Sequence, residues 1–468
     1  MANMISTEND FEPAYIGYFF ILFSGLTAFI IFLFVWMRWD TDKKSETKDK
    51  SLLDLTDSEQ NTEDENLEAE NKPNSFSKDA KKQGKWKFNK MRAPQFEHPW
   101  LLTTLKGHVS DVVDLDFSSN GRYLASISSD RSLYLWNVKD FGERDHKLHR
   151  CSVELDCASH IVFSPDSKCV LMSLQIANKL GVYKITKKEG SQSYKISPVE
   201  SVEFPVIHAE DINNIGIACN GKFVMSASAD NQLVIYSIHG EVLKKIELKL
   251  NILYNACVSP CGRFVGASGF TPNVFIFEVL FDRQGNFQDV KRKKILEGHN
   301  SGIYSFAFDQ SSTRCVTASK DGTWKVYNTD VTYSQGEEAK IIASGEFEVL
   351  KNANPKSVKV AMSSSGNSFA ISANRHIRLY STLHPQKEFK IILDAHDKPI
   401  TGLRMSSCGK MIASCGDRYI RIFHNVAEFY SNVVLLEKII QETREDSKKR
   451  RLEEQLHEAK RAFSPFSF

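Results

Sequence analysis

The stretch LKGHVSDVVDLDFSSNGRYLASISSDRSLYLWNV, residues 105–138, holds two alternating apolar runs, an Asn-Gly turn, a Gly-His pair and an Asp six residues ahead of a Trp. A second stretch, LEGHNSGIYSFAFDQSSTRCVTASKDGTWKVYNT at 296–329, parallels it residue for residue, which makes it a repeating unit. His108 and Asp130 are 22 residues apart, as are His208 and Asp230 and also His299 and Asp321, while His396 and Asp417 are 21 apart. Six residues after each Asp comes an aromatic: Trp136, Tyr236, Tyr327 and Phe423. These anchors recur every 91 to 100 residues, about twice the roughly 40 to 45 residues of one four-stranded unit with its loops. Each gap holds a weaker copy, at 161–185, 256–279 and 360–382, with the same strand, turn, strand, strand pattern but without the His and Asp pair. The count is seven.

Alternating apolar and polar residues make half-buried strands, and Gly or Asn at the turns supplies the positive φ of tight hairpins. One such unit cannot bury both of its faces, whereas seven twisted sheets around an axis bury each face on a neighbour. The Gly-His near the start of a unit and the Asp in the turn before its third strand resemble the WD-repeat family, which implies an all-β, seven-bladed β-propeller over residues 99–425. The Trp-Asp dipeptide itself is absent; WNV at 136 and YNT at 327 stand in its place.

Outside the propeller, AYIGYFFILFSGLTAFIIFLFVWM at 14–37 carries no charge over 24 residues, enough at about 1.5 Å per residue to exceed a hydrocarbon core of about 30 Å. This is expected to be a transmembrane helix, not a cleaved signal peptide, because Glu8, Asp10 and Glu12 occupy what would be a basic n-region. Arg38, Lys43 and Lys44 follow the run, so the positive-inside rule predicts a lumenal N-terminus and a cytosolic propeller. None of the 26 asparagines heads an Asn-x-Ser/Thr sequon, which agrees. Residues 40–97 read as a disordered charged linker, acidic first and then basic, with seven Lys or Arg between Lys78 and Arg92 around Trp86 and Phe88. Its basic half suits either a solvated tether or contact with anionic lipid or RNA. Residues 427–463 contain no Gly or Pro and space Leu452, Leu456, Ala459 and Phe463 by 4, 3 and 4, which predicts one C-terminal helix packed on the propeller or on a partner helix.

Net charge is +2, so composition alone gives no reason for a nucleic-acid partner. All nine cysteines lie in the propeller without CxxC or zinc-type spacing and read as reduced structural thiols in a monomeric ring. His108, Asp130 and a strand serine, taken as Ser128, contain the residue types of a hydrolase triad. Repetition argues against it, since a catalytic constellation is needed once and this set occurs four times. The resemblance to WD repeats implies instead a buried hydrogen-bonded network of His, Asp and aromatic in each strong repeat. No P-loop, GxSxG, HExxH or kinase signature occurs, so no catalytic, cofactor or metal site is expected. At the first hairpin turn of six repeats stand Arg122, Lys168, Lys222, Arg263, Arg314 and Lys410, with Asn367 in the sixth. They read either as ordinary solvated turn residues or as a face toward phosphate, of lipid or RNA.

The order of anchor, charged linker, propeller and C-terminal helix, with GFTPNV at 269–274 and SKDGTWK at 319–325, is similar to a membrane-anchored branch of the WD-repeat family. That resemblance implies a non-enzymatic scaffold on the endoplasmic-reticulum membrane, working in the translation-control branch of the stress response with its membrane kinase and with translated RNA. Two alternatives stay open: a membrane-bound nucleotide-exchange factor for a small GTPase, and a membrane-tethered RNA-binding protein. One expectation concerns closure. Only three strands follow His396, so PWLLTTL at 99–105 should supply the missing outer strand of the seventh blade and spare it an open edge.

Overall fold

The computed structural model describes residues 96–187, 193–330, 339–348 and 354–466. The expected membrane helix at 14–37 and all but the last two residues of the expected linker lie outside them, and among the described residues no helix is long and apolar enough to cross a membrane. Among the described residues seven antiparallel sheets follow one another around a ring, six of them built from sequential strands. In the first blade these are Val112–Phe117, Tyr123–Ser128, Ser132–Asn137 and Leu148–Ser152, from the axis outward. Alternation predicted half-buried strands, yet the second strands are buried on both faces: YLASIS at 123–128, VMSAS at 224–228 and RCVTAS at 314–319. Stacking of twisted blades produces this, because a strand between two neighbouring sheets has no solvent side, and Ala and Ser there let the sheets approach.

The ring closes as the open edge requires. Leu101–Lys106 pairs antiparallel with Tyr419–His424, from Leu101 opposite Phe423 to Lys106 opposite Tyr419, so the seventh sheet joins both ends of the propeller. His424 N donates to the Trp100 carbonyl at 2.8 Å just beyond this ladder.

The sixth blade differs. Its sheet has three strands, Val358–Met362, Ser368–Ala373 and His376–Ser381, and the alternating segment EFKIIL at 388–393 contributes only the bridge between Ile377 and Ile392. Helix α1 (Val426–Glu442) packs beside that blade in its stead: the Ser431 hydroxyl lies 2.8 Å from that of Ser381 and donates to the Asn367 carbonyl at 3.0 Å, while Tyr430 meets Phe389 edge-on at 5.7 Å. The buried Glu428 carboxylate accepts the hydroxyls of Ser365 and Ser368, each at 2.7 Å.

The C-terminal segment corrects the expectation of one helix over 427–463. Two helices form, α1 and α2 (Asp446–Phe463), separated by an extended break in which Thr443 has ψ 124° and Glu445 ψ 119°. Lys460 reaches Glu437 at 2.7 Å, so the pair is an antiparallel hairpin. Folding back lets α2 half-bury Leu452, Leu456, Ala459 and Phe463, which a straight helix would leave in water.

Candidate functional site

In the first blade His108 Nδ1 lies 3.4 Å from Asp130 Oδ2 and its Nε2 2.8 Å from Ser126 Oγ, to which Trp136 Nε1 donates at 2.9 Å. Asp130 also accepts Val109 N at 2.8 Å, tying the entry loop to the turn before the third strand. The third blade repeats this with His208, Asp230 and Ser226, at 3.2 and 2.6 Å, and Ser226 lies 3.3 Å from the Tyr236 hydroxyl. The fifth uses His299, Asp321 and Thr317, at 3.4 and 2.7 Å; the seventh uses His396, Asp417 and Ser414, at 3.1 and 2.8 Å.

Three details differ from the sequence reading. The hydroxyl partner is Ser126, not Ser128, whose side chain instead accepts Asp130 N at 3.2 Å. The aromatic differs from blade to blade: Trp136 and Tyr236 reach the network serine, the Tyr327 hydroxyl donates to the Glu297 carbonyl at 3.0 Å, and Phe423 packs apolarly with the Phe96 ring. In the seventh blade Arg421 joins in, 2.7 Å from His396 Nδ1 and 2.9 Å from Asp417. The second blade caps itself in reverse: Asp156, before the inner strand, accepts Ile176 N at 2.8 Å and Ala177 N at 3.0 Å in the later turn. Burial lowers the pKa of all four histidines against the pull of their aspartates, His299 to about 4, so they are neutral. A neutral, enclosed imidazole repeated in four blades fastens the entry loop of each to its later turn.

Five of the six cations lie in turns between first and second strands, and Arg314 opens the second strand of its blade, so all six are on the face opposite these caps. Adjacent turns on that face are linked around the ring, as when Asn120 N meets Ser167 Oγ at 3.3 Å, Cys261 N meets Ser312 Oγ at 3.0 Å and Ser364 Oγ meets the Ser407 carbonyl at 2.5 Å. Arg122, Lys168, Lys222 and Lys410 are exposed. Arg263 is neutralised by Glu278, and Arg314 donates to the Gly366 carbonyl at 3.0 Å and to Asn367 at 3.2 Å. Two of the six therefore serve the fold itself.

The capped face carries a feature the sequence reading missed. Val109, Leu155, Ile176, Val206, Ile252, Phe270 and Leu393 are 49 to 88% exposed and all sit in loops entering an inner strand or in turns between second and third strands. Leu155 is the most exposed, at 88%, and its φ is +57°, a left-handed backbone that a bulky L-residue rarely adopts. Bulky apolar residues in the loops before an inner strand or between second and third strands were the available signal.

Comparison with known proteins agrees with this architecture. The repeat profile described as "WD domain, G-beta repeat" matches residues 99–137, 290–328 and 387–424. Transducin beta-like protein 2 of Mus musculus is 37% identical over 397 residues, 84% of this chain and 88% of that protein, and its Homo sapiens counterpart is 37% identical over 391 residues, 83% and 86%. A chromatin assembly factor 1 subunit FAS2 homolog of Oryza sativa subsp. japonica is 24% identical over 163 residues, 33% of this chain and 31% of that protein. Propellers of this kind typically bind other proteins, and with most of both lengths aligned the chain belongs to the transducin beta-like protein 2 family of WD-repeat proteins.

Proposed function

We propose that this protein is a non-enzymatic scaffold, anchored in the endoplasmic-reticulum membrane through residues 14–37, whose cytosolic propeller assembles protein complexes in stress signalling and translational control. The observation that carries the docking part is the apolar ring on the capped face, with Leu155 at its most exposed point. Exposing a leucine and holding it at positive φ both cost free energy, of order 1 kcal/mol or more each, and a partner that covers the side chain would offset the first. Family resemblance and the uncharged run at 14–37 support the membrane and stress assignments.

Proximity labelling from the C-terminus of the full chain, with and without stress of the reticulum, tests this reading. Leu155→Asp and Phe270→Asp together should remove specific labelled proteins while leaving thermal stability unchanged. An unaltered labelling pattern would reject the apolar face as the docking surface. Stimulated nucleotide release from a cytosolic GTPase would favour the exchange-factor alternative, and crosslinking to RNA that is lost with Arg122, Lys168, Lys222 and Lys410 would favour the RNA-tethering one.

A further inference from the structure

The axis of the propeller is a cavity of about 520 Å³, lined by the inner strands of all seven blades. Four consecutive blades supply its basic and acidic side chains: Lys356 and Lys359 from the sixth, Arg404 from the seventh, Asp114 and Asp116 from the first, and His160 from the second. Across from this arc the third and fourth blades present the amides of Asn214 and Asn255.

These groups do not satisfy one another. Asp114 and Asp116 spend carboxylate oxygens on the next blade's backbone, accepting Ile161 N at 3.2 Å and Phe163 N at 2.8 Å. Arg404 approaches the two carboxylates only to 3.6 and 3.8 Å, beyond hydrogen-bonding distance. Lys359, on the sixth inner strand, faces the lumen, and its ammonium has no hydrogen bond or ion pair within 4 Å among the described residues, the Asp114 charge acting on it only from farther away. His160, lowered by burial to about 4, contributes no charge, so three cations stand against two carboxylates. An ammonium held away from bulk water without an acceptor is unfavourable, and its pKa is lowered by that burial. Structural channel polarity alone accounts for the aspartates, which bond to the neighbouring strand; it does not account for Lys359.

We infer that the central cavity is a binding site for a small multiply charged anion bearing phosphate or carboxylate groups, held by Lys359 and Arg404 and admitted past Lys356, which precedes the sixth inner strand on the capped face. The volume falls within the range of small-molecule sites, about 300 to 1,000 Å³. On the side away from the cations Asn214 and Asn255 are bonded around the ring, Asn214 Nδ2 to Asn255 Oδ1 at 3.1 Å and Asn255 Nδ2 to the Phe306 carbonyl at 3.2 Å, so the cations carry the binding. The inference is independent of the docking surface proposed above.

The test is calorimetric titration of the detergent-solubilised full chain with pyrophosphate and, separately, with citrate, at matched ionic strength. One-site saturable binding is expected, and which of the two binds more tightly distinguishes a phosphate from a carboxylate source. Lys359→Met should weaken binding roughly tenfold or more, through loss of a charge-assisted contact. Asp116→Asn should strengthen it several-fold by removing an opposing charge, a gain that misfolding cannot produce. Lys222→Met, on the face opposite the caps, should leave it unchanged. Absence of saturable binding by both probes overturns the inference, as do wild-type affinity in both cavity variants or loss of binding in Lys222→Met.

Discussion

Arg421 Nη1 lies 2.9 Å from Asp417 Oδ2 within the seventh blade, whereas among the described residues Asp130, Asp230 and Asp321 have a histidine and no arginine or lysine within ion-pair distance. Both partners are 6% exposed, so removing the guanidinium leaves a buried carboxylate without its cation. Arg421→Met should destabilise the protein by about 3 kcal/mol, measured by urea unfolding. Lys325→Met, at the matching position of the fifth blade but bonded to the Gly298 carbonyl, should lose less.

Acid should reveal the same pair. Burial opposes ionisation of Asp417, but His396 and Arg421 outweigh it and hold the carboxyl well below the usual carboxylate range. A depressed carboxylate contributes stability that is present above its unfolded pKa of about 4 and lost as pH falls through the folded value. Arg421→Met should therefore raise the pH of acid unfolding, followed by tryptophan fluorescence.

The buried histidines act at milder pH. Burial lowers His299 to about 4, so between about 6.5 and 4 the unfolded chain binds a proton that the folded one refuses. Stability should fall as pH drops through that window, by up to about 3 kcal/mol from His299 alone. Urea midpoints at pH values on either side of the window check this. A flat profile would mean that the imidazoles are not held neutral.

Asp321→Ala should destabilise the fifth blade by about 1 to 3 kcal/mol, since Asn300 N, Thr323 N and His299 lose their acceptor. Asn374→Ala in the sixth blade should cost less: its contacts there run through backbone, its N donating to the Ser357 carbonyl at 3.2 Å and its carbonyl accepting Ile400 N at 2.7 Å. Equal losses would refute the equivalence of the four capped blades.

Deleting residues 99–105 should lower the melting temperature sharply and broaden the transition, because the outer strand of the seventh sheet and the Trp100 contact to His424 go together. Differential scanning calorimetry of the full chain against the deletion measures it. An unchanged transition would mean that the edge is covered by something else.

The propeller was legible because its anchors recur at fixed spacing, and four copies of one His and Asp pair are hard to produce by any other architecture. The hydroxyl of the network was not, because Ser126 and Ser128 share one face of a strand and period-two alternation treats them alike. Spacing separates them: Ser126, Ser226, Thr317 and Ser414 each lie 18 residues after their histidine. The helical hairpin was hidden because Thr443, Arg444 and Glu445 carry no Gly or Pro to mark the break. In the sixth blade EFKIIL has a strand's alternation, but helix α1 packs beside the edge that it would pair with, a competition between distant segments that no local pattern records. The apolar face was missed because its members are single residues in seven separate loops.

The antiparallel ladder between Leu101–Lys106 and Tyr419–His424 also sets a schedule for biosynthesis. The strand made first is among the last to find its partner, since more than three hundred residues must be translated between them, roughly 15 to 65 seconds at ordinary elongation rates. Throughout that interval the growing chain is an unfinished crescent with a bare sheet edge at its leading end. Chaperones that shield such edges, and any pause in elongation before His424, therefore govern how much of this protein matures and how much is discarded.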